Sequence, residues 1–208
     1  MSRFIESIKI EYQKAYLLDF HQKRVNETLA HFGAEGSIDL EKIFKDLQHD
    51  EDGLYKWRVV YDLQKNVKTQ LIPYAIAEIE NFQLMENNEI DYSYKSEDRK
   101  AFEQLKAKAK ADEIIIVKNN SITDTSYSNL LFLKGNAWYT PSTYLLNGVQ
   151  RQHLLQGKKI KETEITLQNI KEFSHFQLIN ALNDFDDMFI YPIERIVNLP
   201  ENTEYLGI

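Results

Sequence analysis

EIIIVKNNSITDTSYSNLLF, residues 113–132, is the stretch on which the reading of the fold turns. Glu113 to Lys118 is apolar and β-branched, the composition of a buried strand. Asn119-Asn120 follows, and both residues tolerate positive φ, as a tight two-residue turn requires. Ser121 to Asp124 resumes an extended pattern, so the segment predicts a hairpin with Asp124 on its return arm. A second pair follows at once, Asn129 to Leu133 and Ala137 to Thr140, around Lys134-Gly135-Asn136. Pro141 ends it.

Outward from this centre the pattern is mixed. Ser96 to Lys110 predicts a helix with Ala101, Phe102, Leu105 and Ala109 in one stripe. Ile79 to Glu86 reads as a strand, and Met85 to Asp91 as polar loop. Pro73-Tyr74 breaks the chain before it. In the first part, Arg3 to Ile10 reads as a strand. A helix from an Asp19 cap to about His31 carries Leu18, Val25, Leu29 and Phe32 near one face, with Gly33 as its stop. A helix over Asp39 to Leu47, a turn at Asp50 to Gly53, and strands at Leu54 to Leu63 and Thr69 to Ile72 complete it. Downstream, Gly148 opens a helix to about Gln156. Glu162 to Thr166, Phe176 to Ala181 and Phe189 to Val197 read as strands. Helices concentrated early and strands late imply an α+β class. The expected division is 1–74 and 75–208.

The chain has 208 residues, 43% hydrophobic and 27% charged, enough for one compact unit or two small domains. A formal net charge of −7 offers no basic footprint for nucleic acid. The run KAKAK, Lys106 to Lys110, reads as a solvated helix face. With no cysteine, disulfides, thiol catalysis and Cys-based zinc sites are excluded. The N-terminus shows no long apolar core and no small-residue cleavage site, and no run reaches the length of a membrane span. The expectation is a cytoplasmic protein with neither membrane nor nucleic-acid partner.

Common catalytic signatures are missing: there is no GxGxxG, P-loop, HExxH or GxSxG. The residue four beyond His21 is Val25, so no metal is expected. His21 and His31 read as partly buried or capping residues. Four short segments remain. HQKR carries Arg24 on the first helix. DYSYKSEDR carries Lys95 at a loop-to-helix junction. IVKNNSITDTSYSNLLF carries Asp124. WYTPSTYLLNGVQR carries Gly148-Val149-Gln150 at a helix start. Singly, these read as an exposed lysine, a turn carboxylate, a surface arginine and an ordinary helix N-terminus.

Together, in this order, they resemble the class IV aminotransferases, the fold type IV enzymes of pyridoxal 5′-phosphate. The resemblance runs from about Phe4 to about Leu182. It is carried above all by Asp112-Glu113, Ile122-Thr123-Asp124, Ser128-Asn129-Leu130, Thr140-Pro141 and Leu146, Gly148 and Arg151. It implies a two-domain fold like that of D-amino-acid aminotransferase, with a small N-terminal α/β domain and a larger barrel-like C-terminal domain.

The resemblance also implies roles. Lys95 matches the lysine that carries the cofactor. That amine must lose its proton to react, so burial and nearby positive charge, such as that of Arg99, should lower its pKa. Arg24 matches the phosphate arginine, and Gly148-Val149-Gln150 the phosphate-binding turn, where free N–H groups and the helix dipole suit a dianion. Asn180 and Ala181 match a later segment that faces the phosphate. Asp124 stands where the family usually has Glu, as partner of the pyridine nitrogen, and Asn129 matches an asparagine supporting it. Arg58, on a strand, is a candidate for a substrate carboxylate. The transaminase branch has Asn-Tyr four and five residues after the lysine; here Arg99 and Lys100 stand there, which resembles the 4-amino-4-deoxychorismate lyase branch. The reaction implied yields 4-aminobenzoate and pyruvate, a step of folate biosynthesis. The alternatives are transamination of a D-amino or branched-chain amino acid, and a non-catalytic protein that kept the fold. The family's glycine-rich lead-in to the first strand is missing, which bears on the substrate. A homodimer is expected by resemblance.

Overall fold

The computed structural model describes residues 2–47, 53–185 and 189–200. The chain opens with β1 (Arg3–Glu11), a two-residue strand β2 (Lys14–Ala15), α1 (Leu18–His31) and α2 (Leu40–Lys45). Then come β3 (Tyr55–Asp62) and β4 (Val67–Pro73). These strands form an antiparallel sheet in the order β2-β1-β3-β4. One face is apolar by simple alternation: Phe4, Ile8 and Ile10 of β1 join Trp57, Val59 and Tyr61 of β3 against Val25 and Leu29 of α1. The opposite face carries Ile5, Ser7, Lys56 and Arg58 toward a cavity.

The second set of elements is β5 (Phe82–Glu86), α3 (Lys100–Lys106), β6 (Glu113–Lys118), β7 (Ser121–Thr125), β8 (Asn129–Lys134), β9 (Ala137–Pro141), α4 (Val149–Gln156), β10 (Lys161–Thr163), β11 (His175–Ile179) and β12 (Tyr191–Pro192). Its sheet path is β10-β9-β8-β7-β6-β5, with β11 added on β8 and β12 on β11. The path stays open from β10 to β5, an α+β arrangement with no closed barrel among the described residues. Its core stacks aromatic rings: Phe82 meets Phe176 at 4.8 Å and Tyr191 at 5.0 Å, edge to face. Full burial of each such side chain stabilises by roughly 1.5–3 kcal/mol. Among the described residues no helix is long and apolar enough to cross a membrane.

The central hairpin forms as the sequence predicts. Asn119 and Asn120 have φ of 49° and 69°, the double positive φ that matches the strand twist. Its register holds a further feature. Val117 faces Ile122, but Ile115 faces Thr125, so β7 carries one extra residue. This bulge lies beside Asp124 and re-aims the strand there.

Several expected elements are shorter. The helix predicted over Ser96 to Lys110 spans only Lys100–Lys106. Its first residues are recruited by the free edge of β1: Ile5 N–H donates to Lys95 O and Glu97 N–H to Arg3 O, each at 2.9 Å. Helix α1 is capped two residues earlier than expected, at Leu17 with φ 53° and no side-chain cap, and Asp19 sits in its first turn. The strand predicted over Phe189 to Val197 is a strand only at Tyr191–Pro192, because Pro192 offers no N–H and a 3-10 turn follows; beyond that turn Ile196 makes an isolated parallel bridge to Phe82. Glu162 to Thr166 forms a strand only over Lys161–Thr163, with Thr166 making an isolated bridge to Ser121, and Ile79 to Glu86 begins pairing at Phe82. The turn expected at Asp50 to Gly53 lies, except for Gly53, outside the described residues.

Candidate functional site

A cavity of about 510 Å³ lies between the two sheets. It is lined by Arg24, Arg58, Lys95, Arg99, Asp124, Asn129, Gly148, Val149, Asn180 and Ala181, contributed by segments far apart in the chain. Of the residues to which the resemblance gives a cofactor or substrate role, only Gln150 does not line it. Its side chain is buried within the first turn of α4 instead.

Lys95 is held by the antiparallel bridge of Ser96 to Phe4 on the edge of β1. Its side chain keeps part of its surface open to the cavity. Burial, reinforced by the positive charge of Arg24 and then Arg99, lowers its amine from 10.5 to about 7, against the attraction of Glu6 and Asp124. A lysine in this state is substantially neutral at physiological pH and can act as a nucleophile or base.

Asp124 sits across the cavity, buried. Its Oδ2 accepts from the backbone N–H groups of Leu145 and Leu146, each at 3.0 Å, and its Oδ1 from Asn129 Nδ2 at 2.8 Å. Burial raises its carboxyl to about 6 despite these three donors. Asn129 Nδ2 also donates to Leu146 O at 2.8 Å, which ties the strand to the loop before α4. Gly148, the N-cap of α4, packs directly against this amide. A Cβ at Gly148 would collide with Asn129 Oδ1. No side chain caps α4, so its first N–H groups remain available to an anion. Gly148 has φ −62°; close approach rather than backbone freedom requires glycine here.

Arg24 is steered by a residue the sequence reading passed over. Glu6 lies on the core face of β1, fully buried, and accepts from Arg24 Nε at 2.8 Å and from Arg24 Nη2. His21 Nδ1 lies 2.5 Å from the same carboxylate. Burial alone would raise Glu6, but the Arg24 charge and the His21 hydrogen bond outweigh it and hold the carboxyl down to about 2. Burial lowers His21. The signal was present: Glu6 alternates with Phe4 and Ile8 on a face that should be apolar, and His21 and Arg24 are three apart on the inward side of α1.

Arg99 donates to Ser126 O and, at 3.2 Å, lies against Tyr92 Oη. Its guanidinium packs over the Phe102 ring at 4.6 Å. Tyr92 Oη in turn donates to Ser96 O at 2.7 Å, so this group braces the segment bearing Lys95. Asn180 Nδ2 donates to Ser128 Oγ at 3.0 Å. Arg58 Nη2 donates to Glu97 Oε1 at 2.7 Å, and Arg3 pairs with the same carboxylate. The site thus presents a largely neutral amine, a buried carboxyl and an anion cradle around one space.

Comparison with known proteins identifies the family and the fold. The family model of amino-transferase class IV matches residues 72–196. An uncharacterised protein of Haemophilus influenzae is 34% identical over 187 residues, covering 88% of this chain and 99% of that protein. The crystal structure of a Haemophilus somnus protein, provisionally described as a 4-amino-4-deoxychorismate lyase, is similar with a TM-score of 0.82 and 33% identity, over 89% of this chain and 98% of that one. An aminotransferase of Brucella abortus, solved with its cofactor PLP, shares the fold with a TM-score of 0.68 and 15% identity, over 99% of this chain and 84% of that one.

Proposed function

This chain belongs to the class IV aminotransferase family, and on that premise we propose that it is a pyridoxal-phosphate enzyme that cleaves 4-amino-4-deoxychorismate to 4-aminobenzoate and pyruvate. The observation that carries this is the convergence of Lys95, Asp124, Arg24 and the Gly148 start of α4 on one cavity. The residues fit the cofactor. An uncapped helix start with a glycine where a Cβ would collide, next to a lining arginine, suits a phosphate dianion. A buried carboxyl near pKa 6 suits a pyridine N–H. An amine near pKa 7 suits an aldehyde carbon.

Arg24 and the first N–H groups of α4, including that of Gln150, would hold the phosphate, with Asn180 and Ala181 beside it. Asp124 would share the proton of the ring nitrogen, and Asn129 keeps its carboxylate oriented. When bound, pyridoxal phosphate supplies an aldehyde that takes up the substrate amine and a ring that spreads negative charge from the adjacent carbon. Lys95 Nζ, neutral near pH 7, is the base that takes the proton from the amine-bearing carbon. The enolpyruvyl group leaves and gains a proton as pyruvate, and the ring becomes aromatic. No keto acid enters this balance.

Arg99 supports the lyase over the transaminase. It stands four residues after Lys95, where its guanidinium is fixed by Ser126 O and the Phe102 ring, and the likeness to the Haemophilus somnus protein points the same way. The test is pyruvate release from 4-amino-4-deoxychorismate by the cofactor-loaded protein. Release without keto acid, lost in Lys95→Ala, supports the proposal. Amino transfer that demands a keto acid would assign the chain to transamination instead. A protein that stays colourless on soaking with the cofactor would remove both readings. The enzyme is proposed to act as a homodimer; a monomer in sedimentation would remove the assembly and leave the site.

A further inference from the structure

The cavity is more cationic than the chain that builds it. The chain carries a net charge of −7, yet Arg24, Lys56, Arg58, Lys95 and Arg99 line this space against Glu97 and Asp124. Four of these cations are accounted for within the protein. Arg24 is clamped by Glu6. Arg58 pairs with Glu97. Arg99 donates to Ser126 O and packs on Phe102. Lys95 is the lowered amine. Lys56 has neither a carboxylate nor a carbonyl partner among the described residues, although it is half-buried.

Its placement in the sheet sharpens this. Lys56 pairs directly with Lys9, and Arg58 with Ser7. Directly paired residues share a face, so Lys9, Lys56, Ser7 and Arg58 all point to the cavity side, away from the core of Trp57, Val59 and Tyr61. Two lysines side by side repel. Lys9 is neutralised, by Asp184 Oδ2 at 2.8 Å and Glu11 Oε2 at 3.0 Å. Among the described residues Lys56 makes no ion pair of its own, although the Lys9–Glu11–Asp184 group beside it carries one net negative charge. Beside it, Arg3 and Arg58 share the single carboxylate of Glu97, so that cluster keeps one net positive charge. Two cationic groups, the Lys56 ammonium and the Arg3–Arg58–Glu97 cluster, therefore stand on the sheet wall, apart from the phosphate cradle at Arg24 and α4.

We infer that Lys56 is a specificity-determining residue: its ammonium takes one carboxylate of a substrate that carries two, the second lying against the Arg3–Arg58–Glu97 cluster. This rests on the proposed function and adds the residue that selects a dicarboxylate amine. Lys56 does not touch the reacting carbon in this assignment. Its contribution is the same in the bound and reacting states and falls on KM rather than kcat.

The test uses cofactor-loaded protein and chorismate, the 4-hydroxy analogue of the substrate. Chorismate carries both carboxylates and no amine, so it cannot react. Titration calorimetry of Lys56→Met should give a Kd raised about tenfold, Lys56→Arg a Kd within about twofold of wild type, and the exposed Lys171→Met no change. For 4-amino-4-deoxychorismate, Lys56→Met should raise KM by a similar factor with kcat within about twofold. A chorismate Kd unchanged in Lys56→Met, or no binding of chorismate to the wild type, overturns the inference. Pyruvate release by the wild type separates the two ideas. If it is present with KM unmoved in Lys56→Met, the lyase stands and this residue's role falls. If it is absent while chorismate binds through Lys56, the dicarboxylate site stands and the reaction falls.

Discussion

Replacing Lys95 by Met should make the cofactor-free protein more stable at neutral pH. Met keeps the apolar stem and removes the amine. In the folded chain that amine is lowered from 10.5 to about 7 by burial and by the charges of Arg24 and Arg99. The unfolded chain holds the proton up to about pH 10.5. Between about pH 7 and 10.5 the unfolded state therefore binds more protons, and wild-type stability rises with pH through that window. Below pH 7 the full cost of the site remains, about 5 kcal/mol from the displacement at about 1.4 kcal/mol per pH unit. Water in a cavity of about 510 Å³ screens part of that, so Lys95→Met should gain about 2–3 kcal/mol at pH 7. The gap should close to under about 1 kcal/mol near pH 10. Urea unfolding of both apo proteins from about pH 6 to about pH 10 measures it. Equal stability at pH 7, or parallel pH profiles, would refute the claim that the lysine is held against its own charge.

Attachment of pyridoxal phosphate to the apo protein should quicken as pH rises through about 7, where Lys95 loses its proton, and level off about a unit above; a rate flat from pH 6 to 9 would contradict the assignment. Glu6 should stabilise the fold above its unfolded pKa and lose that contribution as pH falls from about 4.5 through about 2, so acid unfolding of Glu6→Gln should lack this component and its neutral stability should drop by about 3 kcal/mol, read by denaturant melts. Gly148→Ala should push Asn129 off Asp124 and weaken cofactor affinity by about 10- to 100-fold, with the fold retained by circular dichroism. Asp124→Asn should still attach the cofactor at Lys95 but lower turnover by at least about 100-fold, measured as pyruvate release.

Local order was legible because local physics decides it. The Asn119-Asn120 turn, the apolar run of β6 and the glycine opening α4 are each fixed by residues within a few positions. The helix expected over Ser96 to Lys110 was cut back by a distant partner, the free edge of β1, which draws Lys95 to Glu97 into a bridge. Periodicity in one window cannot register a hydrogen bond to residues 3–5. The bulge in β7 escaped for the same reason, since it exists only as a mismatch of register with β6.

The sequence by itself determined which side chains were available: a lysine, a carboxylate, an arginine and a glycine in a recognisable order. It also held the oddity of Glu6 on an apolar face. Only the tertiary structure decided what state those groups are in. A pKa is set by desolvation and by nearby charges, and for Lys95 those charges include, besides Arg99 close by in sequence, Arg24, Glu6 and Asp124 from far along the chain. In the same way Lys9 and Lys56 are both lysines on strands in the sequence. Packing gave Lys9 its carboxylates and, among the described residues, gave Lys56 no direct ion pair, because counter-charges are assigned by proximity in space and not by order in the chain.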